Sequence, residues 1–322
     1  MRIGILTSGG DAPGMNAAIR ATVRQADALG LETVGIRHGF RGLLEGDWRP
    51  IRSRDCANIL QRGGTILHTA RAAAFEDPAR RAEAADRLKA DGIGALVVIG
   101  GDGSFRGAEA LWREQGIRCA GIPGTIDNDL PGTDRTLGFD TALNTAVEAM
   151  DRIRDTASSH DRVFLVEVMG RSSGMLAVHT AIACGAEFVL YPEAEEDTFE
   201  ALVAQLRSSA ARGKGSSIVV VAEGDQLGSA VAIGERLKQD HGLDLRVAVL
   251  GHIQRGGSPT ALDRIWGSRW GAEAVKRLAA GEEAFYLGVQ AGDLVALPLA
   301  RIRERPAAPP RELAALLTVL AR

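Results

Sequence analysis

Two aspartates bracket an asparagine in Pro123-Gly124-Thr125-Ile126-Asp127-Asn128-Asp129, more charge than a turn needs. An aspartate within reach of a hydroxyl accepts its proton during phosphoryl transfer. Asp127 is therefore a candidate base, with Asp129 its neighbour. Asp102 stands among glycines in Gly100-Gly101-Asp102-Gly103-Ser104. Its carboxylate suits Mg2+, which takes one or two carboxylates along with phosphate oxygens and water; the lesser alternative is the N-cap of a helix starting near Phe105. The glycine pairs Gly9-Gly10 and Gly100-Gly101 let backbone N–H groups face an anion at a helix N-terminus. Two such turns suit a polyphosphate, although a structural tight turn accounts for either one alone. Neither is a GxGxxG fingerprint and no GxxxxGK[ST] occurs, so a P-loop is excluded. Phosphate charge must then be met by arginine, backbone and a metal. Arg71, Arg162, Arg171, Arg246 and Arg255 are the candidates, each of which alone also reads as a surface arginine. Arg171 and Arg255 lie in glycine-rich stretches, as does His252, which reads as a ligand contact rather than a core histidine.

These residues need elements to hold them. Short apolar runs at Ile3–Leu6, Thr33–Ile36, Ala95–Ile99, Arg118–Ile122, Val163–Val168, Phe188–Leu190, Ile218–Ala222 and Val247–Leu250 read as buried strands. Helical spacing fills Asn16–Leu29, Ala79–Ala90, Phe105–Gln115, Asp140–His160, Thr198–Arg212, Ala261–Ala279 and Glu312–Leu320. The alternation implies an α/β fold of two lobes, each a mainly parallel sheet flanked by helices. Ligands in such sheets bind beyond the carboxyl ends of the strands, and there the glycine and polar clusters fall. The lobes are expected at 1–138 with about 252–300, and at 139–251, leaving a tail at 301–322.

A chain of 322 residues with 45% hydrophobic and 25% charged residues folds without staples. Its net charge of −3 gives no electrostatic case for nucleic acid. Four of its 38 basic residues are lysines, which leaves 34 arginines, the side chain suited to bidentate phosphate contacts. Cys56, Cys119 and Cys184 lack CxxC spacing, so neither a zinc site nor a disulfide framework is suggested and a reducing cytoplasm fits. The apolar run Ile3–Leu6 is too short for a signal peptide, and no stretch has the length of a membrane span. Glycine is in excess, 39 residues or about 12% against a usual ~7%.

The clusters together resemble one family. Thr7–Arg20 (TSGGDAPGMNAAIR), GGDGS at 100–104, PGTIDNDL at 123–130, MGRSSG at 169–174 and LGHIQRGGSPTALDR at 250–264 look like ATP-dependent 6-phosphofructokinase of the bacterial, allosteric type. The resemblance runs to about residue 275. It implies transfer of the ATP γ-phosphoryl group to the 1-hydroxyl of fructose 6-phosphate, a committed step of glycolysis. By motif position Gly10, Arg71, Ala72 and Gly101, Asp102, Gly103 and Ser104 would line ATP, with Asp102 on Mg2+. Thr125, Ile126 and Asp127 would meet the reacting end of the sugar. Met169, Gly170, Arg171, Glu223, His252, Ile253, Gln254 and Arg255 would hold the sugar, and Arg162 and Arg246 would reach its 6-phosphate from a neighbouring subunit of a homotetramer. Arg20, Arg24, Arg154, Gly185, Glu187, Arg212 and Lys214 would form an effector site for ADP or phosphoenolpyruvate. Where the family often has Asp-Gly-Tyr this chain has His38-Gly39-Phe40, and Ala72 stands where a larger residue is common. In pyrophosphate-dependent relatives the glycines matching Gly103 and Gly124 become aspartate and lysine, so glycine at both favours ATP. Two other readings remain: an NAD or lipid kinase, which shares the GGDG turn but lacks the MGR and GHIQRGG segments, and a nucleotide-sensing subunit without catalysis.

Overall fold

The computed structural model describes residues 2–160, 162–194 and 199–321. In chain order it contains β1 (Arg2–Thr7), α1 (Met15–Ala28), β2 (Glu32–Ile36), α2 (Gly39–Glu45), β3 (Trp48–Pro50), α3 (Pro78–Ala90), β4 (Ile93–Gly100), α4 (Asp102–Gln115), β5 (Arg118–Thr125), β6 (Leu137–Gly138) and α5 (Phe139–His160). It continues with β7 (Val163–Val168), α6 (Met175–Cys184), β8 (Phe188–Leu190), α7 (Phe199–Ala211), β9 (Ser217–Ala222), α8 (Ala230–His241), β10 (Leu245–Val249), α9 (Ala261–Ala279), β11 (Ala284–Gln290), β12 (Asp293–Pro298) and α10 (Arg311–Leu320).

The chain divides into two units. The first comprises Met1–Ile126, Leu130–Thr141 and Arg255–Pro306; the second comprises Asp127–Asp129, Ala142–Gln254 and Ala307–Arg322. The stretch expected as a separate tail is thus shared at Pro306, and Asp127–Asp129 belong to the second unit, whereas the chain up to Ile126 and from Leu130 belongs to the first.

The first unit is built on a sheet of order β12-β11-β5-β4-β1-β2-β3, with β6 on β5. Its central strands are parallel and read as unbroken apolar runs, because helices cover both faces. The edges are antiparallel, through β2–β3 and the β11–β12 hairpin. The sequence reading found none of the three strands that make these edges: β3 has three residues, and β11 and β12 belong to the part of the chain that carries no motif. The second unit has a four-stranded parallel sheet of order β10-β7-β9-β8. Each unit has its own apolar core, one around Leu6, Leu96, Val98, Phe105 and Tyr286, the other around Leu165, Val219, Val221, Leu202 and Leu237. Helices α2, α6 and α8 also escaped the sequence reading. α6 is apolar nearly all round, with seven of its ten residues buried, so it shows no amphipathic stripe. Thr198, expected to open α7, lies outside the described residues.

Parallel strands put their carboxyl ends on one edge of each sheet, and the loops leaving those ends hold every motif named above. One buried carboxylate fixes such a loop. Asp263 on α9 accepts Gly138 N–H at 2.9 Å and Thr141 N–H at 3.0 Å, along with the Thr141 hydroxyl. Thr260 caps the same helix by accepting Asp263 N–H and donates to Asp140 at 2.6 Å. Burial pushes the Asp263 carboxyl above its ordinary value, against the hydrogen bonds that favour the ion. Its contribution to stability is therefore full below the ordinary carboxylate range and is lost as pH rises through the raised value. The Asp263→Ala change strands two buried N–H groups at about 1–3 kcal/mol each. A thermal melt should show the loss as a drop of several degrees.

Candidate active site

In the first unit three strand ends meet. Ser8, after β1, donates its N–H to Ile99 O at 2.9 Å, so the loops after β1 and β4 run side by side. Gly101 in turn lies against Thr125 at the end of β5: a β-carbon added at Gly101 would sit 3.4 Å from that of Thr125. Thr125 O accepts the Thr136 hydroxyl at 2.6 Å, which fixes the strand end from the other side.

The two glycine turns prove unlike each other. Gly101 is the N-cap of α4, so the backbone donors of Asp102 and Gly103 open the helix where an anion is favoured, while Ser104 N–H already donates to Gly101 O at 3.0 Å. Gly10, in contrast, is separated from α1 by Asp11–Gly14, and an arginine side chain covers it. The Arg255 guanidinium lies over it, where a β-carbon would overlap Nη1, and donates to Asp11 O at 3.2 Å. Gly10 thus brings an arginine against the first loop. Arg255, expected on the sugar, is brought to Gly10 and Asp11 in the first unit.

Asp102 is the first residue of α4 rather than its N-cap, and no side chain caps that helix. The capping alternative therefore falls away. Its half-exposed carboxylate accepts Arg106 Nε at 2.8 and 3.0 Å, one turn along, and this hydrogen bond raises the Arg106 pKa. Among the described residues no group of three or more His, Cys, Asp or Glu side chains forms a metal cage. A single accessible carboxylate beside the first N–H groups of a helix fits Mg2+ carried on a polyphosphate, which keeps most of its water and phosphate ligands. Arg71 is exposed and Ala72 half-buried, immediately before a short 3-10 turn at Ala73–Glu76.

The second unit gathers the other residues at the ends of β7, β9 and β10. Arg171 has φ 52°, a left-handed backbone uncommon outside glycine. Its N–H points to Glu223 Oε2 at 3.3 Å, and its carbonyl packs so closely on Gly224 that no β-carbon fits there. Gln254, fully buried, accepts Met169 N–H at 2.9 Å, which joins the β10 loop to the β7 loop. The Ser173 hydroxyl donates to Asp127 O at 2.9 Å. Asp127 is itself 5% exposed and precedes Asn128, another left-handed residue at φ 47°. Asp225, next in the β9 loop, has its carboxyl raised by burial.

Other expected contacts are set differently. Ile126 is fully buried, so it offers main chain only. His252 and Ile253 are exposed. Arg162 is half-buried just ahead of β7, and Arg246 on β10 pairs with Asp244 at 2.7 Å. Glu187, 2% exposed, accepts Lys214 Nζ at 2.5 Å and the Ile218 N–H, and lies 4.0 Å from Arg154. Arg154 also donates to the carbonyls of Cys184 and Gly185, and Arg212 to that of Ala321. Arg20 and Arg24 are on α1 in the first unit, where they act electrostatically on Cys56. Sequence reasoning gave no role to Asp263 or to Ser173, although both lie inside motifs it had singled out. The signal available was position alone: a carboxylate on a helix face and a serine between glycines.

The chain's own geometry thus sets a glycine turn at a helix start in one unit and an arginine-carboxylate cluster in the other. The family Phosphofructokinase matches residues 2–278, and the chain belongs to that family. It is 54% identical over 320 residues to "ATP-dependent 6-phosphofructokinase 1" of Thermus thermophilus, covering 99% of both chains. Among solved structures it resembles phosphofructokinase from Saccharomyces cerevisiae, with a TM-score of 0.85 and 33% identity. That likeness covers all of this chain, which spans about half, 48%, of the yeast one. A pyrophosphate-dependent phosphofructokinase from Marinobacter aquaeolei shares the fold, with a TM-score of 0.85, 23% identity and coverage of 99% of this chain and 92% of that one. The fold therefore does not choose the phosphoryl donor; particular residues must.

Proposed function

We propose that the chain transfers the γ-phosphoryl group of ATP to the 1-hydroxyl of fructose 6-phosphate, giving fructose 1,6-bisphosphate and ADP. The observation that carries this reading is the adjacency of Gly101 and Thr125, which sets the helix start suited to phosphates beside the strand that leads, two residues on, to Asp127. The sugar hydroxyl loses its proton to the Asp127 carboxylate while its oxygen bonds to the γ-phosphorus. The bond from that phosphorus to the bridging β–γ oxygen breaks, and ADP departs with the electron pair. The N–H groups at the start of α4 and the guanidinium of Arg71 hold the donor; Arg171, Glu223, His252 and the Met169–Gly170 backbone hold the sugar, with Arg162 and Arg246 of a neighbouring subunit at its phosphate. Mg2+ at Asp102 would offset charge on the donor phosphates. Glycine at 103 and 124 supports ATP over pyrophosphate. Three buried free thiols support a reducing, cytoplasmic setting, burial raising Cys56 to about 11 and Cys119 to about 12. No helix among the described residues is long and apolar enough to cross a membrane. A coupled assay for fructose 1,6-bisphosphate, run with ATP and with pyrophosphate, tests the reading: turnover with ATP alone is expected, and turnover with pyrophosphate alone would reverse the donor.

Regulation belongs to the same reading. Lys214 and Arg154 at the buried Glu187 form a cationic pair suited to a phosphate, and Arg212, Arg20 and Arg24 would complete the site in a homotetramer. ADP or phosphoenolpyruvate bound there would shift a two-state equilibrium. The dependence of rate on fructose 6-phosphate should be sigmoidal and altered by ADP; a hyperbolic curve indifferent to both effectors contradicts it.

A further inference from the structure

We infer that the tripeptide His38-Gly39-Phe40 pins both ends of the segment carrying Arg71 and Ala72, and that its histidine end, stacked on His68, is a positioning device sensitive to protonation. The inference rests on the donor-side reading of Arg71.

Three observations carry it. The His38 and His68 rings stack with centroids 5.3 Å apart and planes at 15°. Phe40 and Phe75 stack with centroids 4.2 Å apart and planes at 23°, and Gly107 of α4 packs on both rings so tightly that a β-carbon would lie 3.1–3.3 Å from them. Between His68 and Phe75 run Arg71 and Ala72. The histidine end is tied by backbone as well: His38 N–H donates to Leu67 O at 2.9 Å, and the Thr7 hydroxyl donates to His68 O at 3.0 Å. Asn16 holds the stretch upstream, donating to Arg62 O and accepting Ile66 N–H. His38 and His68 both have left-handed backbones, φ 60° and 57°, a conformation ordinarily left to glycine or asparagine. The pair thus joins the turn after β2 to the residues that lead into Arg71, next to the end of β1.

The two ends differ in chemistry. The phenylalanine stack is neutral at every pH. Imidazoles take up protons near pH 6.5, and two stacked cations repel. Asp47, whose Oδ2 is 3.6 Å from His38 Nδ1, faces the pair and compensates one charge; Arg37 and Arg71 are the nearest cations along the chain. Acid therefore loosens one end of the Arg71 segment while the other holds.

The test is the KM for ATP and for fructose 6-phosphate between pH 5.5 and 8, in the wild type and in His68→Asn. Asparagine tolerates the left-handed backbone and keeps the carbonyl that Thr7 binds, but neither stacks nor titrates there. In the wild type the ATP KM should rise about tenfold towards pH 5.5, a change absent from the fructose 6-phosphate KM. In His68→Asn it should be raised at pH 8 and nearly flat with pH. His38→Asn should behave alike. A flat wild-type profile, or a His68→Asn profile superposing on the wild type, overturns the inference. An Arg71→Ala enzyme separates the two readings: an unchanged ATP KM there refutes the donor role of Arg71, whereas a raised one beside an unaltered His68→Asn profile refutes the histidine device alone.

Discussion

Replacing Asp127 by asparagine should lower kcat about 10²–10⁴-fold while the KM for ATP stays within about threefold. Asparagine has the same shape and cannot accept the sugar proton, so the loss falls on the chemical step. The position is well suited to a base. Asp127 is nearly buried between the fully buried Ile126 and the left-handed Asn128, and its carbonyl is held by Ser173, so the backbone admits little drift. The substitution keeps volume and those backbone bonds, and the melting temperature should change by only a few degrees. Steady-state kinetics beside a thermal melt checks both halves. A variant within tenfold of the wild-type kcat would remove Asp127 from the role of base.

The second large effect concerns the donor. Gly103→Asp should raise the KM for ATP about 10²-fold without harming the fold. Gly103 is exposed in the first turn of α4, and an added β-carbon there meets nothing within 4 Å. An acidic residue in that turn favours the helix, so the melting temperature should hold or rise slightly. Its charge, however, would stand where nucleotide phosphates are bound, beside Asp102, and like charges repel there. The companion position differs: a β-carbon at Gly124 would lie 3.0 Å from Met15 Cε and 3.1 Å from Ile99 Cγ2. A Gly124→Lys change therefore mixes packing damage with donor choice, which makes Gly103 the cleaner probe. An ATP KM unchanged in Gly103→Asp would show that the start of α4 does not bind the nucleotide.

Much of this was legible before any coordinates. The parallel strands are short apolar runs ending in glycine, and β7 and β8 begin and end where the run does. Helices with a polar face, such as α9, were equally plain. What escaped had physical reasons. α6 is apolar nearly all round and carries no 3.6-residue stripe, and β3 is too short to show alternation. The start of α4 was read three residues late, because a glycine-rich turn looks like a loop until the helix is seen to absorb it. In the site, residue types gave the candidates but not their partners. The histidine stack, the arginine over Gly10 and the clamp at Asp263 join residues 30, 245 and 125 positions apart. No spacing rule reaches across such distances.

The central claim, transfer from ATP to the sugar 1-hydroxyl, is tested most directly by 31P NMR of wild-type enzyme with ATP, Mg2+ and fructose 6-phosphate. The account predicts that the γ-phosphoryl resonance disappears one for one with the growth of ADP and of a second phosphomonoester signal on the sugar, that of fructose 1,6-bisphosphate. ADP accompanied by inorganic phosphate, with the sugar monophosphate untouched, would contradict it.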